Sequence, residues 1–194
     1  MMKQEFYLPS LDGAHRLHCI RWVPEEKPRA VLQIVHGMAE HIGRYDEFGR
    51  FLASKGIEVV GHSHLGHGLT AKNEDELGWL SRNPENVKAY AEDPFCGFRF
   101  TLNGYYCMFL GLHRAIRAES GGGMPKAYPI LFTAGAEDPV GNCGKGVRAL
   151  YSRYRKFGAN ATIKLYPGDR HEILQESDRQ QIFEDILQWM MHIQ

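Results

Sequence analysis

Two polar residues that could do acid–base chemistry follow successive apolar runs in the second half of the sequence. Asp138 lies in G-A-E-D-P-V-G and His171 in Y-P-G-D-R-H-E, each just after a predicted strand. Because the carboxyl ends of parallel strands meet at one edge of a sheet, we expect the carboxylate and the imidazole to be neighbours. A carboxylate that orients an imidazole makes a general base. The alternative for Asp138 is a turn or N-cap residue before a proline, and for His171 a residue at a helix start.

Three histidines follow a predicted strand in the first half of the sequence. His62, His64 and His67 stand in H-S-H-L-G-H, which is similar to the H-x-H-x-D-H metal motif of metallo-β-lactamase-like hydrolases. Gly66 stands where that motif has an aspartate. Three imidazoles in a loop could hold zinc, so a zinc-dependent hydrolase is one hypothesis. The alternative is that these histidines bind no metal.

Strands and helices alternate along the sequence and must position these residues. Apolar β-branched runs predict buried strands, and apolar residues at helical spacing predict the helices between them. The strands are expected at 5–8, 15–22, 30–35, 57–60, 130–134 and 161–166, and the helices at 44–55, 105–116, 147–157 and 182–193. The first two strands would form a hairpin. The pattern predicts an α/β fold, with a three-layer, mostly parallel sheet flanked by helices, in a single domain over 1–194.

Residues 72–101 depart from this alternation. They are polar, contain Pro84 and Pro94, and show no sustained apolar period apart from a possible short helix near 84–91. We expect an irregular segment that lies over the sheet.

Composition excludes several classes of partner. The 194 residues carry 23 basic and 23 acidic side chains, with no basic run that would suit a nucleic acid or an anionic membrane. No apolar run approaches the length of a membrane span, and the N-terminal residues do not form a signal peptide. The four cysteines have no C-x-x-C spacing, which favours reduced thiols. We therefore expect a cytoplasmic protein that binds no nucleic acid and makes no stable membrane insertion.

Six sequence motifs carry a family resemblance. They are H-G-M-A-E-H-x-x-R-Y at 36–45, H-L-G-H-G at 64–68, W-L-S-R at 79–82, D-P-F-C-G-F at 93–98, and the two motifs that contain Asp138 and His171. Together they resemble the monoacylglycerol lipase/lysophospholipase branch of the α/β-hydrolases (serine aminopeptidase S33-like). They occur in the order that the family has, over nearly the whole chain.

The resemblance implies a shortened α/β-hydrolase fold and a set of roles. Asp138 would be the acid of a catalytic triad, His171 its general base, and the backbone N–H of Met38 one donor of the oxyanion hole. The implied reaction is hydrolysis of a small-molecule or lipid carboxylic ester through an acyl-serine, with no metal or cofactor. Residues 72–101 would be the remnant of a cap.

One part of the family pattern is missing. The 194 residues contain no G-x-S-x-G, the tight turn that carries the nucleophilic serine. Ser63, in G-H-S-H-L, is the nearest candidate, but Leu65 replaces the final glycine and the loop follows the wrong strand. We expect an internal deletion near Leu77 to Trp79 that removes the nucleophile elbow and most of the cap. A non-catalytic remnant of a hydrolase is therefore the competing hypothesis.

The deletion leads to two further expectations. Without the central strands, the strand at 30–35 should pair directly with the strand at 130–134, since an unpaired buried edge would leave backbone groups unsatisfied. Ester hydrolysis should be orders of magnitude slower than in an intact relative, because the nucleophile and one oxyanion donor would be lost together.

Overall fold

The computed structural model describes residues 1–9, 16–37, 40–63, 77–98, 100–120 and 128–193. These residues fall into two compact units, the first formed by 1–74 with 90–100 and the second by 75–89 with 101–194. The strands are β1 (Met2–Pro9), β2 (Arg16–Val23), β3 (Ala30–Ile34), β4 (Ile57–His62), β5 (Pro129–Gly135) and β6 (Asn160–Tyr166). The α-helices are α1 (Asp46–Ser54), α2 (Pro84–Glu92), α3 (Leu102–Ser120), α4 (Lys145–Lys156) and α5 (Arg179–Met191). The predicted α/β class is confirmed, whereas the single-domain organisation stays a prediction.

The first unit contains a mixed four-stranded sheet in the order β1-β2-β4-β3. The predicted hairpin is present, because β1 and β2 pair antiparallel, and β3 pairs parallel with β4. Trp22 is fully buried at the centre of this unit, and its indole N–H donates to Asp46 at 2.8 Å. A Cβ added at Gly49 would lie 2.5 Å from the Trp22 ring, so helix α1 packs against β2 only with a glycine there.

The second unit contains a parallel pair, β5 and β6. Tyr166, at the end of β6, forms a buried cluster with Ile173 and Ile182. Ile182 lies on α5, whose apolar face is thus turned towards the strand ends. The turns after β5 and β6 carry Asp138 and His171, so this unit holds both residues of the predicted acid–base pair.

The expected pairing between the strands at 30–35 and 130–134 is wrong. In the part of the chain that the structure describes, β3 is bonded to β4 alone and β5 to β6 alone. Each parallel pair is joined by one crossover, which contains α1 in the first case and α4 in the second. Strands that follow one another along the chain usually pair, and a short crossover costs less loop entropy than a distant partner.

The stretch at 77–98 is more regular than the sequence suggested. A short 3₁₀ turn covers Leu77–Trp79, and α2, at Pro84–Glu92, confirms the short helix expected near 84–91. Pro84 stands in the first turn, and the Asn83 side chain accepts a hydrogen bond from the Glu85 N–H at 3.1 Å. This is N-capping followed by proline at the first helical position, which starts a helix even in a polar segment.

None of the helices that the structure describes is long and apolar enough to cross a bilayer.

Candidate active site

Asp138 and His171 are hydrogen-bonded to each other. The His171 Nδ1 lies 3.1 Å from Asp138 Oδ2. The second carboxylate oxygen of Asp138 accepts the Val140 N–H at 2.9 Å, so the residue fixes its own turn and also orients the imidazole. Asp138 is 6% exposed, while the His171 side chain is 39% exposed. The expected proximity is confirmed, and the imidazole is buried only in part.

The turns that carry these two residues interlock through backbone hydrogen bonds. The Ala136 N–H donates to the Tyr166 carbonyl at 2.8 Å, and the Glu137 N–H donates to the Asp169 carbonyl at 2.9 Å. Gly135 permits this close approach, because a Cβ there would clash with the carbonyl oxygens of Asp169 and Arg170. The glycine that begins G-A-E-D-P-V-G is thus required by the neighbouring turn, which brings the acid and the base together.

The W-L-S-R motif lies against the loop that carries His171. The Glu172 N–H donates to the Leu80 carbonyl at 2.9 Å, and the Glu172 carboxylate accepts from the Asn86 amide at 2.8 Å. The Trp79 ring contacts the imidazole of His171, with the ring centroids 5.2 Å apart. Residues in and just after the 3₁₀ turn, and one on α2, therefore support the histidine from outside its own loop.

Arg82 joins this segment to two buried acids. Its guanidinium lies 2.7 Å from Asp169, through both Nε and Nη2, and 2.8 Å from Asp178. Its backbone N–H donates to Glu176 Oε1 at 3.0 Å, and the Arg170 N–H donates to the same oxygen at 3.1 Å. Asp169 and Glu176 are 0% exposed. Burial, followed by the negative charge of Asp178, raises the pKa of Asp169 to about 6, although Arg82 opposes the change.

Ser63 occupies a structural position in the first unit, just after β4. It is 6% exposed, its N–H donates to the His18 carbonyl at 2.8 Å, and its Oγ accepts from the Ile42 N–H at 3.4 Å. That amide belongs to the first turn of the 3₁₀ helix Ile42–Tyr45, whose leading N–H groups need acceptors. The surroundings of Ser63 are therefore those of a buried residue that helps to hold a helix start.

The H-G-M-A-E-H-x-x-R-Y motif forms a local network at the end of β3. Glu40 Oε1 accepts the Gly37 N–H and the Tyr45 hydroxyl, the latter at 2.9 Å. A Cβ at Gly37 would lie 2.8 Å from the same oxygen, so a larger residue there would displace the Glu40 carboxylate from this network. Met38, the predicted oxyanion donor, lies outside the described residues, so its role stays a prediction.

One group of three side chains in the described part of the chain could ligate a metal. The ligand atoms of His41, Asp93 and Cys96 lie within 4.8 Å of one another. However, His41 Nε2 is already 2.8 Å from Asp93 Oδ2, and the guanidinium of Arg44 lies 3.9 Å from the Cys96 sulfur. A fixed cation beside the thiol opposes metal binding, so we interpret the group as a hydrogen-bonded link between two motifs.

The predicted zinc loop can be followed only in part. His62 is the last residue of β4, whereas His64 and His67 lie outside the described residues. The zinc hypothesis therefore stays a prediction.

Comparison with known proteins identifies the family. A family model described as serine aminopeptidase, S33 matches residues 26–78 and 69–178. The chain belongs to this family. It is 46% identical over 59 residues to a monoglyceride lipase homolog of Monkeypox virus, and 40% identical over 62 residues to the monoglyceride lipase of Mus musculus. These matches cover 30% and 32% of this chain, and only 21% and 20% of the relatives' own lengths.

A solved structure supports the same assignment at the level of the fold. A carboxyl esterase from Bacillus coagulans superposes with a TM-score of 0.85 at 21% identity, over 100% of this chain and 99% of the esterase chain. This S33 protein therefore has the α/β-hydrolase fold, as the six motifs predicted.

The supports of the His171 loop were not predicted from the sequence. Arg82 and Asp169 stand inside motifs that were recognised, but nothing in those motifs says that the two side chains meet. Glu176 carries no signal in the sequence. Two features of the sequence could have drawn attention to these residues. Asp169 stands two positions before the candidate base His171, and Arg82 is a charged residue within the W-L-S-R motif.

Proposed function

We propose that this S33 protein is a slow carboxylic ester hydrolase in which His171 is the general base and Asp138 orients it. The observation that carries the proposal is the 3.1 Å hydrogen bond between a buried carboxylate and a half-exposed imidazole. With Nδ1–H directed to Asp138, Nε2 has a lone pair free to accept a proton.

The nucleophile in this proposal is water. The 194 residues contain no G-x-S-x-G, and Ser63 is buried with its Oγ accepting the Ile42 N–H. In the first step His171 Nε2 takes a proton from water while the oxygen attacks the ester carbonyl. The tetrahedral intermediate then expels the alkoxide, which receives that proton from Nε2, so that a carboxylic acid and an alcohol leave. No acyl-enzyme forms.

An internal deletion near Leu77 to Trp79 accounts for the missing nucleophile elbow. The family model matches in two segments that overlap at 69–78, and this overlap reaches the expected site of the deletion. Loss of the elbow removes the serine and one oxyanion donor together, and a single donor is worth roughly 3 kcal/mol of barrier. We therefore propose turnover orders of magnitude below that of an intact relative.

The proposed substrates are small lipid esters of the monoacylglycerol or lysophospholipid type. The support is the similarity to proteins named as monoglyceride lipases. We also propose a cytoplasmic location, since all four cysteines are free thiols, as is usual in a reducing compartment.

Hydrolysis of a short-chain aryl ester tests the mechanism. The unaltered protein should hydrolyse the ester slowly, and His171→Ala should reduce this to the rate of buffer. His192→Ala is the matched control, because His192 is an exposed histidine at the end of α5 in the same unit, and it should leave the rate unchanged. Treatment with a fluorophosphonate followed by intact mass measurement should show no adduct. A stoichiometric adduct on Ser63 would contradict the water mechanism.

A non-catalytic remnant is the second candidate function. The observation that favours it is the structural position of Ser63, which leaves no serine in a nucleophile elbow. Equal rates for the unaltered protein and His171→Ala would establish this candidate instead. Activity that is lost on chelation and restored by zinc would point to the loop with His62, His64 and His67.

A further inference from the structure

We infer that Arg82 is a positioning residue for His171: its charge holds two buried acids of the loop and so keeps the imidazole against Asp138. The inference rests on the proposed function, because it concerns the geometry of the same base. It assigns a role to the W-L-S-R segment, which is distant in sequence from both members of the pair.

The first step of the argument concerns Asp169, two residues before His171. Its carboxylate is 0% exposed, and both Nε and Nη2 of Arg82 lie 2.7 Å from Oδ1. The carbonyl of Asp169 accepts the Glu137 N–H, one residue before Asp138. Asp169 thus touches Arg82 through its side chain and the turn of Asp138 through its backbone.

The second step concerns Glu176, which is also 0% exposed. Its Oε1 accepts the backbone N–H of Arg82 at 3.0 Å and that of Arg170 at 3.1 Å, while Oε2 lies 3.8 Å from the guanidinium of Arg82. Arg170 is the residue immediately before His171. Both residues that precede the base are therefore held by this group: Asp169 by the guanidinium of Arg82, and Arg170 by the carboxylate of Glu176.

The third step is the electrostatic requirement. A buried carboxylate that loses its cation carries a large desolvation penalty, so it must take up a proton or move towards water. In either case the hydrogen bonds that hold residues 169 and 170 change. A displacement of about 1 Å at a reacting group can cost roughly 100-fold in rate. Removal of the Arg82 charge should therefore displace the His171 imidazole, although the substituted side chain is not in direct contact with it.

The test follows the hydrogen bond itself, independently of turnover. In protein labelled with ¹⁵N-histidine, the His171 Nδ1–H proton in contact with Asp138 should give a downfield signal that Asp138→Asn abolishes. Arg82→Met should weaken or shift this signal and reduce kcat by about 10- to 100-fold with KM little changed. Arg82→Lys should retain part of the signal and part of the activity, because lysine keeps the positive charge but lacks the planar guanidinium group that can donate several hydrogen bonds. Arg148→Met, at an exposed arginine of α4, is the matched control and should change neither.

A double variant separates charge compensation from general loss of packing. If the unpaired acid is the cause, Asp169→Asn introduced into Arg82→Met should restore part of the signal, since the amide needs no counter-charge while Glu176 still lacks its cation. This variant also provides a result if Arg82→Met alone does not fold. An unchanged His171 signal in Arg82→Met, or no restoration in the double variant, would overturn the inference. Absence of the signal from the unaltered protein would overturn it as well. A normal signal in an unaltered protein without esterase activity would refute the proposed function and leave the positioning role intact.

Discussion

Replacement of Asp169 by asparagine should change how the stability of the protein depends on pH. The folded state raises the pKa of this carboxyl from 3.8 to about 6, first through burial and then through the charge of Asp178. Between these two values the folded protein binds a proton that the unfolded chain has released. The free energy of unfolding therefore falls as pH rises from about 4 to about 6. Below pH 4 both states are protonated, and this loss is absent.

The size of the effect follows from the same two values. One pKa unit corresponds to about 1.4 kcal/mol, so ionisation of Asp169 costs the folded protein up to about 3 kcal/mol by pH 7. Asparagine still offers an oxygen to Arg82 but does not titrate. The unfolding free energy of Asp169→Asn minus that of the parent should therefore increase by up to about 3 kcal/mol between pH 4 and pH 7.

Urea unfolding at half-unit steps from pH 4 to pH 8 measures this difference. Glu176 and Asp178 are present in both proteins, so most of their contribution cancels when the curves are subtracted. Glu184→Gln, at an exposed acid of α5, is the control and should give a difference that is nearly constant with pH. A flat or decreasing difference for Asp169→Asn would refute the reasoning, because it would mean that Asp169 is not protonated preferentially in the folded state.

Two further substitutions test the roles given to particular residues. Ser63→Ala removes the acceptor of the Ile42 amide, so urea unfolding should show a loss of about 1 kcal/mol, with ester hydrolysis unchanged; a loss of hydrolysis would contradict the structural role. Gly135→Ala should cost about 1–3 kcal/mol and abolish hydrolysis, because the methyl group would clash with two carbonyl oxygens of the His171 loop. Gly111→Ala, at an exposed position of α3 where a methyl group meets nothing within 4 Å, should instead stabilise by up to about 1 kcal/mol. Equal effects of the two alanines would show that close approach at Gly135 is not the cause.

The order of strands and helices could be predicted because the spacing of apolar residues within each segment indicates its secondary structure. The strand expected at 130–134 is found at Pro129–Gly135, and the one at 161–166 at Asn160–Tyr166. Short apolar runs that alternate with helical patterns along a sequence are typical of the strands of a parallel α/β sheet. The nine-residue α2 was less clear, since its capping and proline signals act locally while its face is only weakly apolar.

Strand pairing and the contacts that support the His171 loop could not be predicted from the local sequence pattern. The apolar run at Ala30–Ile34 predicted a buried strand, but Val31 is 62% exposed and only Ile34 of this strand is buried, because β3 lies at the edge of its sheet. The run also does not say which neighbour the strand takes, and the expected neighbour was wrong. Asp138 and His171 could be matched because both follow strand ends and stand in family motifs. Arg82 meets Asp169 and Glu176 through contacts between distant parts of the chain, and no local spacing encodes such a meeting.

The arrangement of the His171 loop also has a consequence for how the protein is made. Arg82 leaves the ribosome before both acids that it holds, since Asp169 and Glu176 follow 87 and 94 positions later. At synthesis rates of about 5–20 residues per second, the arginine segment waits roughly 5 to 20 s for them. Neither compact unit is a continuous piece of chain, because 75–89 belongs with 101–194 and 90–100 belongs with the N-terminal residues. The base and its support can therefore assemble only after residue 176 has been synthesised, and a nascent chain stopped before residue 169 would expose an arginine whose buried partners have not yet been made.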